Sequence, residues 1–161
     1  MTRALLRDRF RLVVHSETKQ EQVYALVVDR SDGRLGPQLK PSTKVCQSAL
    51  PGTANPCGMN TSVNDAGGTL VGNGQTMEQL VGALGNFGLN RMVINRTGLT
   101  GSFDIELKWR PDDLRSANAA QGSDLPSIFA ALPEQLGLRL DSQRGPVEFL
   151  YVDRIERPAP D

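Results

Sequence analysis

Phe103, Ile105, Leu107 and Trp109 alternate without a break with Asp104, Glu106 and Lys108. A period of two sends successive side chains to opposite faces of an extended chain, so this stretch predicts a strand with one dry face and one wet face. Something amphipathic has to cover the dry face. The clearest candidate is a helix predicted over 76–87. Thr76 and Gln79 have the spacing of a capping box, Met77, Leu80, Val81, Leu84 and Phe87 share one face, and Gly88 closes it.

Thr97–Gly101 joins the predicted strands 92–95 and 102–109. Gly98 and Gly101 are read as structural turn residues, because glycine permits the positive φ that a tight connection needs. A phosphate cradle needs a glycine loop opening into a helix; here the loop opens into a strand, and the next basic residue is Lys108. Phe103 and Trp109 are read as core anchors of the dry face.

Other apolar runs extend the pattern. Segments 11–16 and 23–29 predict a hairpin around the polar turn 17–22, and 59–64 with 69–72 predict a small exposed hairpin. A last helix is predicted over 125–136, with Pro133 kinking or shortening it, before a hairpin of 138–141 and 147–154. Helix, strand, turn, strand thus recurs at 4–29, 76–109 and 127–155. Val23–Arg30 and Val147–Arg154 match at five of eight positions, which supports a repeat. The expected fold is α+β: one antiparallel sheet built from repeated α-β-β units, with two or three helices on one face. The expected organisation is a single domain over 1–161, with units at 4–30, 76–110 and 124–156 and a long loop and small hairpin at 31–75.

Eighteen basic residues balance eighteen acidic ones, which argues against a nucleic-acid partner. No apolar run approaches a bilayer span. The first ten residues lack the apolar stretch of a signal peptide and read as a helix without its beginning, so a longer precursor is expected upstream of Met1. Cys46 and Cys57, the only cysteines, lie in a stretch rich in turn-forming residues and are expected to bridge. Closing so short a loop stabilises by roughly 2–3 kcal/mol, and an oxidised pair points outside the cytosol. Neither a metal nor a cofactor is expected, since no second Cys pair or His cluster accompanies them.

His15 is the only histidine. A general base needs a nucleophile and an orienting acid within reach, and Ser16 beside it in a strand points to the opposite face. His15 is therefore read as structural, with no catalytic residue assigned. Asp112, Asp113 and Asp124 do not have calcium-loop spacing. Asp29 and Asp153 are read as exposed strand-end charges.

TGLTGSFDIELKW, LLRDRFRLVVHSETKQEQVYALVV and PSIFAALPEQLGLRLDSQRGPVEFLYVDRIERP resemble an uncharacterised exported, soil-associated family abundant in Acidobacteria. The resemblance covers nearly the whole chain. It implies a periplasmic or secreted protein with an upstream signal peptide, and occasional fusion to membrane metallopeptidases of the BlaR type. No catalytic residues come with it, and Pro133 departs from its pattern. Residues 76–155 are also similar to the short N-terminal domains of secretins and TonB-dependent receptors, which bind other periplasmic proteins. The expected function is a non-enzymatic, protein-binding domain of the cell envelope whose partner is another envelope protein. The alternatives are a small-ligand sensor acting with a membrane peptidase, or an envelope hydrolase using 31–75 as a lid near His15.

Overall fold

β-Branched and aromatic runs set the architecture, and helix is the minor component. The computed structural model describes residues 9–44, 57–64, 67–87, 89–111 and 124–157, of which 52% are strand and 16% helical. The elements in order are β1 (Val13–Val28), β2 (Leu39–Pro41), β3 (Gly58–Asn64), β4 (Gly67–Gln75), α1 (Met77–Leu84), β5 (Val93–Asn95) and β6 (Phe103–Trp109). Then follow α2 (Ile128–Ala131), a π turn (Leu132–Leu136) and β7 (Leu138–Arg154).

The strands form two sheets, β5-β1-β7 and β2-β6-β4-β3. This overturns the expected single antiparallel sheet of α-β-β units with helices on one face. β5 runs parallel to β1, Tyr24 opposite Val93, so the first sheet is not purely antiparallel. β5 and β6 do not form a hairpin: the Thr97–Gly101 loop carries the chain from one sheet to the other. The expected hairpins at the two ends are each one unbroken strand, β1 and β7. The physical reason lies in the supposed turns. Glu17–Gln22 contains no Gly, Pro, Asn or Asp, so nothing there demands turn geometry. Gly145 does not take a positive φ, and Pro146 follows it on an edge strand, where a missing N–H is tolerated. The 59–72 hairpin forms, but β4 is a central strand with buried Leu70, not an exposed flap.

Contacts divide the chain into two compact units, Met1–Gln22 with Arg144–Asp161, and Val23–Gln143. In the larger unit α1 forms as the sequence predicts at its start. The Gln79 N–H donates to Thr76 Oγ1 and the Thr76 N–H donates to Gln79 Oε1 at 2.8 Å, completing the capping box. The helix ends earlier than expected, at Gly85, with Asn86 and Phe87 continuing as a turn. Pro133 ends the last helix early: α2 has four residues and widens into the π turn, closed by Gly137 at φ 69°.

Leu26, Leu70, Leu80, Leu84, Leu107, Leu132, Leu136 and Leu138 are fully buried in one cluster with Trp109 and Met77. Two backbone devices fix its frame. Gly36 and Gly137 pass so close that a Cβ on Gly36 would lie 2.3 Å from the Gln135 carbonyl oxygen. Beyond the short β2, the Gln135 side chain stands in for a neighbouring strand, accepting from the Lys108 N–H at 2.9 Å and donating to the Lys108 carbonyl at 2.7 Å.

Candidate binding groove

In β3, β4 and β6, residues directly opposite each other share a face. Val63, Gly68 and Trp109 form one such row, and Thr61, Leu70 and Leu107 the next. The helices cover the Leu70–Leu107 part of this face, while Thr61 and Val63 on the outer strand line an open groove of about 860 Å³. One wall comes from the end of α1 and the segment after it: Ala83, Asn86, Phe87, Leu89 and Asn90. The other comes from Ile128 and Phe129 of α2, with Tyr24 of β1 and Arg110 and Pro111 beyond β6.

The floor is aromatic. The Trp109 ring lies over Gly68, where any Cβ would meet it at 2.3 Å, so glycine there is a packing requirement. Phe87 stacks on Trp109 with centroids 4.3 Å apart, and Phe129 meets Tyr24 edge-on at 5.5 Å. Phe129 keeps 44% of its surface exposed and Val63 58%, so the walls present apolar area to solvent. The polar side chains of the described lining include Thr61, Asn86, Asn90 and Arg110, and no carboxylate is among the described lining residues. Size, aromatic walls and a few polar groups are the usual make-up of a ligand site.

The lip of this groove is β3, the end strand of its sheet among the described residues. Its sequence, Gly58-Met59-Asn60-Thr61-Ser62-Val63-Asn64, has neither charge nor proline. The opposite edge, β2, is three residues long and carries Lys40 and Pro41, the ordinary protections of an edge. β7, an edge of the other sheet, carries Arg139, Asp141, Arg144, Glu148 and Pro146.

His15 sits in the smaller unit, on the surface. Its Nδ1 lies 2.9 Å from both oxygens of Asp153 and its Nε2 3.4 Å from Glu17, while its ring stacks on Tyr151 at 5.3 Å. The hydrogen bond to Asp153, then that to Glu17, raises the imidazole pKa above 6.5. Lys19 bonds the Tyr151 hydroxyl and pairs with Glu17 at 3.3 Å; the Glu17 carboxyl is lowered by Lys19 first and His15 second. An imidazole with a carboxylate at each nitrogen favours the charged form and offers no free acceptor for a substrate proton.

The residues singled out from sequence fall in different places. Trp109 is on the groove floor and Phe103 is buried in the cluster at 4% exposure. Gly98 and Gly101 have φ of 69° and 92° with open space where a Cβ would stand, so only their backbone conformation is at issue. Cys57 is not a free thiol. Cys46 lies outside the described residues, as do Gly88, Asp112, Asp113 and most of the expected first helix. Sequence reasoning missed the groove because Phe87 and Trp109 read as core. The charge-free composition of 58–64 was the available signal.

A family model described as a protein of unknown function, DUF3738, matches residues 1–155, and the chain belongs to that family. No curated protein and no solved structure matches it.

Proposed function

We propose that this chain is a non-enzymatic binding domain of the cell envelope that holds an extended segment of another envelope protein along β3, with alternate side chains of that segment in the aromatic groove. The observation that carries the reading is β3 itself, which among the described residues is the end strand of its sheet, carries neither charge nor proline, and lies on the lip of that groove. Main-chain bonds to an end strand supply affinity without sequence demands, and pockets beneath alternate residues supply choice. Panning a displayed random peptide library tests it. Wild-type protein is expected to enrich peptides with alternating apolar residues. Phe129→Ala is expected to weaken their binding about tenfold without lowering the melting temperature. Failure to enrich any such peptide overturns the reading.

The envelope location rests on the resemblance and on a Cys46–Cys57 bridge. Intact mass before and after reduction tests the bridge: a gain of two hydrogens is expected, and no gain removes that support for export. The groove's volume of about 860 Å³ also favours a second reading, a small-ligand sensor. A thermal-shift screen against cell-wall fragments and sugars separates the two, since the peptide reading expects no shift.

A further inference from the structure

We infer that the segment bound along β3 presents an acidic side chain to Arg110. The inference rests on the groove reading above and names the chemistry of its occupant. Two described arginines are half-buried in the larger unit, Arg91 and Arg110. Arg91 has its partners: its guanidinium donates to Ser142 Oγ at 2.6 Å and lies over the Tyr24 ring at 5.2 Å. Arg110 lines the groove, and among the described residues its guanidinium takes part in neither an ion pair nor a side-chain hydrogen bond.

Its backbone, by contrast, is held firmly. The Arg110 N–H donates to the Pro126 carbonyl at 2.7 Å, and Arg110 bridges to Ser127 just before α2. The side chain is thus delivered from a fixed point between the end of β6 and the start of α2, with Trp109 before it and Pro111 after it. A partly desolvated guanidinium favours a carboxylate that accepts two parallel N–H bonds. Among the described residues the lining offers none of its own. The amides of Asn86 and Asn90 on the opposite wall can pair with backbone or neutral groups and do not compete for the charge. The occupant that fits is an extended peptide in which apolar residues lie over Phe87, Trp109 and Phe129 and an Asp or Glu reaches Arg110. The chain's overall neutrality makes this a local preference, unaided by long-range steering.

Isothermal titration with synthetic peptide pools tests this. The pools share alternating Val and Phe positions and differ in one central residue: Glu, Gln, Lys or phosphoserine. The full chain is expected to bind the Glu pool at least about tenfold more tightly than the Gln pool, with the difference shrinking at high salt. Arg110→Glu is expected to reverse the order in favour of the Lys pool. Arg110→Gln, a milder change should the reversal impair folding, is expected to erase the Glu preference while keeping Gln-pool affinity. Equal Glu and Gln affinities in the wild type, or a Glu preference that survives both substitutions, overturns the inference and leaves the groove reading standing. A phosphoserine pool bound more tightly than the Glu pool overturns the carboxylate assignment. Binding of no pool overturns the groove reading, and this inference with it.

Discussion

β1 is one strand with two kinds of surroundings. Residues Val23, Ala25 and Leu26 are buried, Leu26 among the leucines of the larger unit, whereas 15–22 of the same strand are exposed throughout. β7 repeats the contrast: Leu138 is fully buried, while Leu150 and Val152 expose 54% and 58%. In the larger unit, strand geometry is maintained by apolar area removed from water. In the smaller one Val147 is also buried, and cross-strand side chains add to it: His15 with Asp153, Lys19 with Tyr151, and the His15–Tyr151 stack. Residues 15–22 therefore stay extended with both faces wet, where no residue forces a turn and a neighbouring strand supplies complementary charges and rings.

The sharpest way to break this comparison is a matched pair of truncations. Leu107→Ala, at a fully buried site, is expected to destabilise by about 2–5 kcal/mol in urea unfolding. Leu150→Ala, at 54% exposure, is expected to stay within about 0.5 kcal/mol. Equal effects would show that the exposed half of β7 is packed after all. Next in size is Gly36→Ala. The added methyl meets main chain on Gln135 and Gly137 at 2.3–2.6 Å, and since no side chain can swing away, a cost of about 1–3 kcal/mol is expected by thermal unfolding. Thr76→Ala removes the helix cap and is expected to cost about 1 kcal/mol in the same assay, with Thr76→Ser restoring most of it.

The smallest effect on stability belongs to the exposed cluster, and it is read by titration. Asp153→Asn is expected to leave the melting temperature unchanged and to bring the His15 pKa down toward 6.5 in an NMR titration of the sole histidine. The raised His15 pKa gives a contribution that is full below pH 6.5 and lost as pH rises through the folded value. The lowered Glu17 pKa gives one present above pH 4.5 and lost as pH falls through its folded value. Amide-exchange protection in 13–20, taken relative to the intrinsic rate at each pH, is therefore expected to be greatest between about pH 4.5 and 6.5. An unshifted His15 midpoint in Asp153→Asn would remove the pairing from the account.

Local signals with a single physical meaning were legible in the sequence. The alternation over 103–109 gives β6 with its four apolar residues buried, and the Thr76–Gln79 spacing gives the cap of α1. Strand partnership was not legible. Val23–Arg30 and Val147–Arg154 look like copies because strands favour the same β-branched residues; Val23–Val28 and Val147–Arg154 belong to two long strands of one sheet. Polar Glu17–Gln22 looked like a turn because polarity alone does not distinguish a turn from an extended strand wet on both faces. The groove was hidden for a different reason. Its floor uses the same aromatic residues as a core, and no local pattern shows that Thr61 and Val63 line an open groove beside them.

Trp109 is the only tryptophan in the chain, and its indole lies on the groove floor against Phe87. The protein thus carries its own optical probe at the place where a guest would lie. A shift or quench of its intrinsic emission on mixing would report occupancy of the groove without any label, and Phe87→Leu, which leaves the indole in place, would retune the signal.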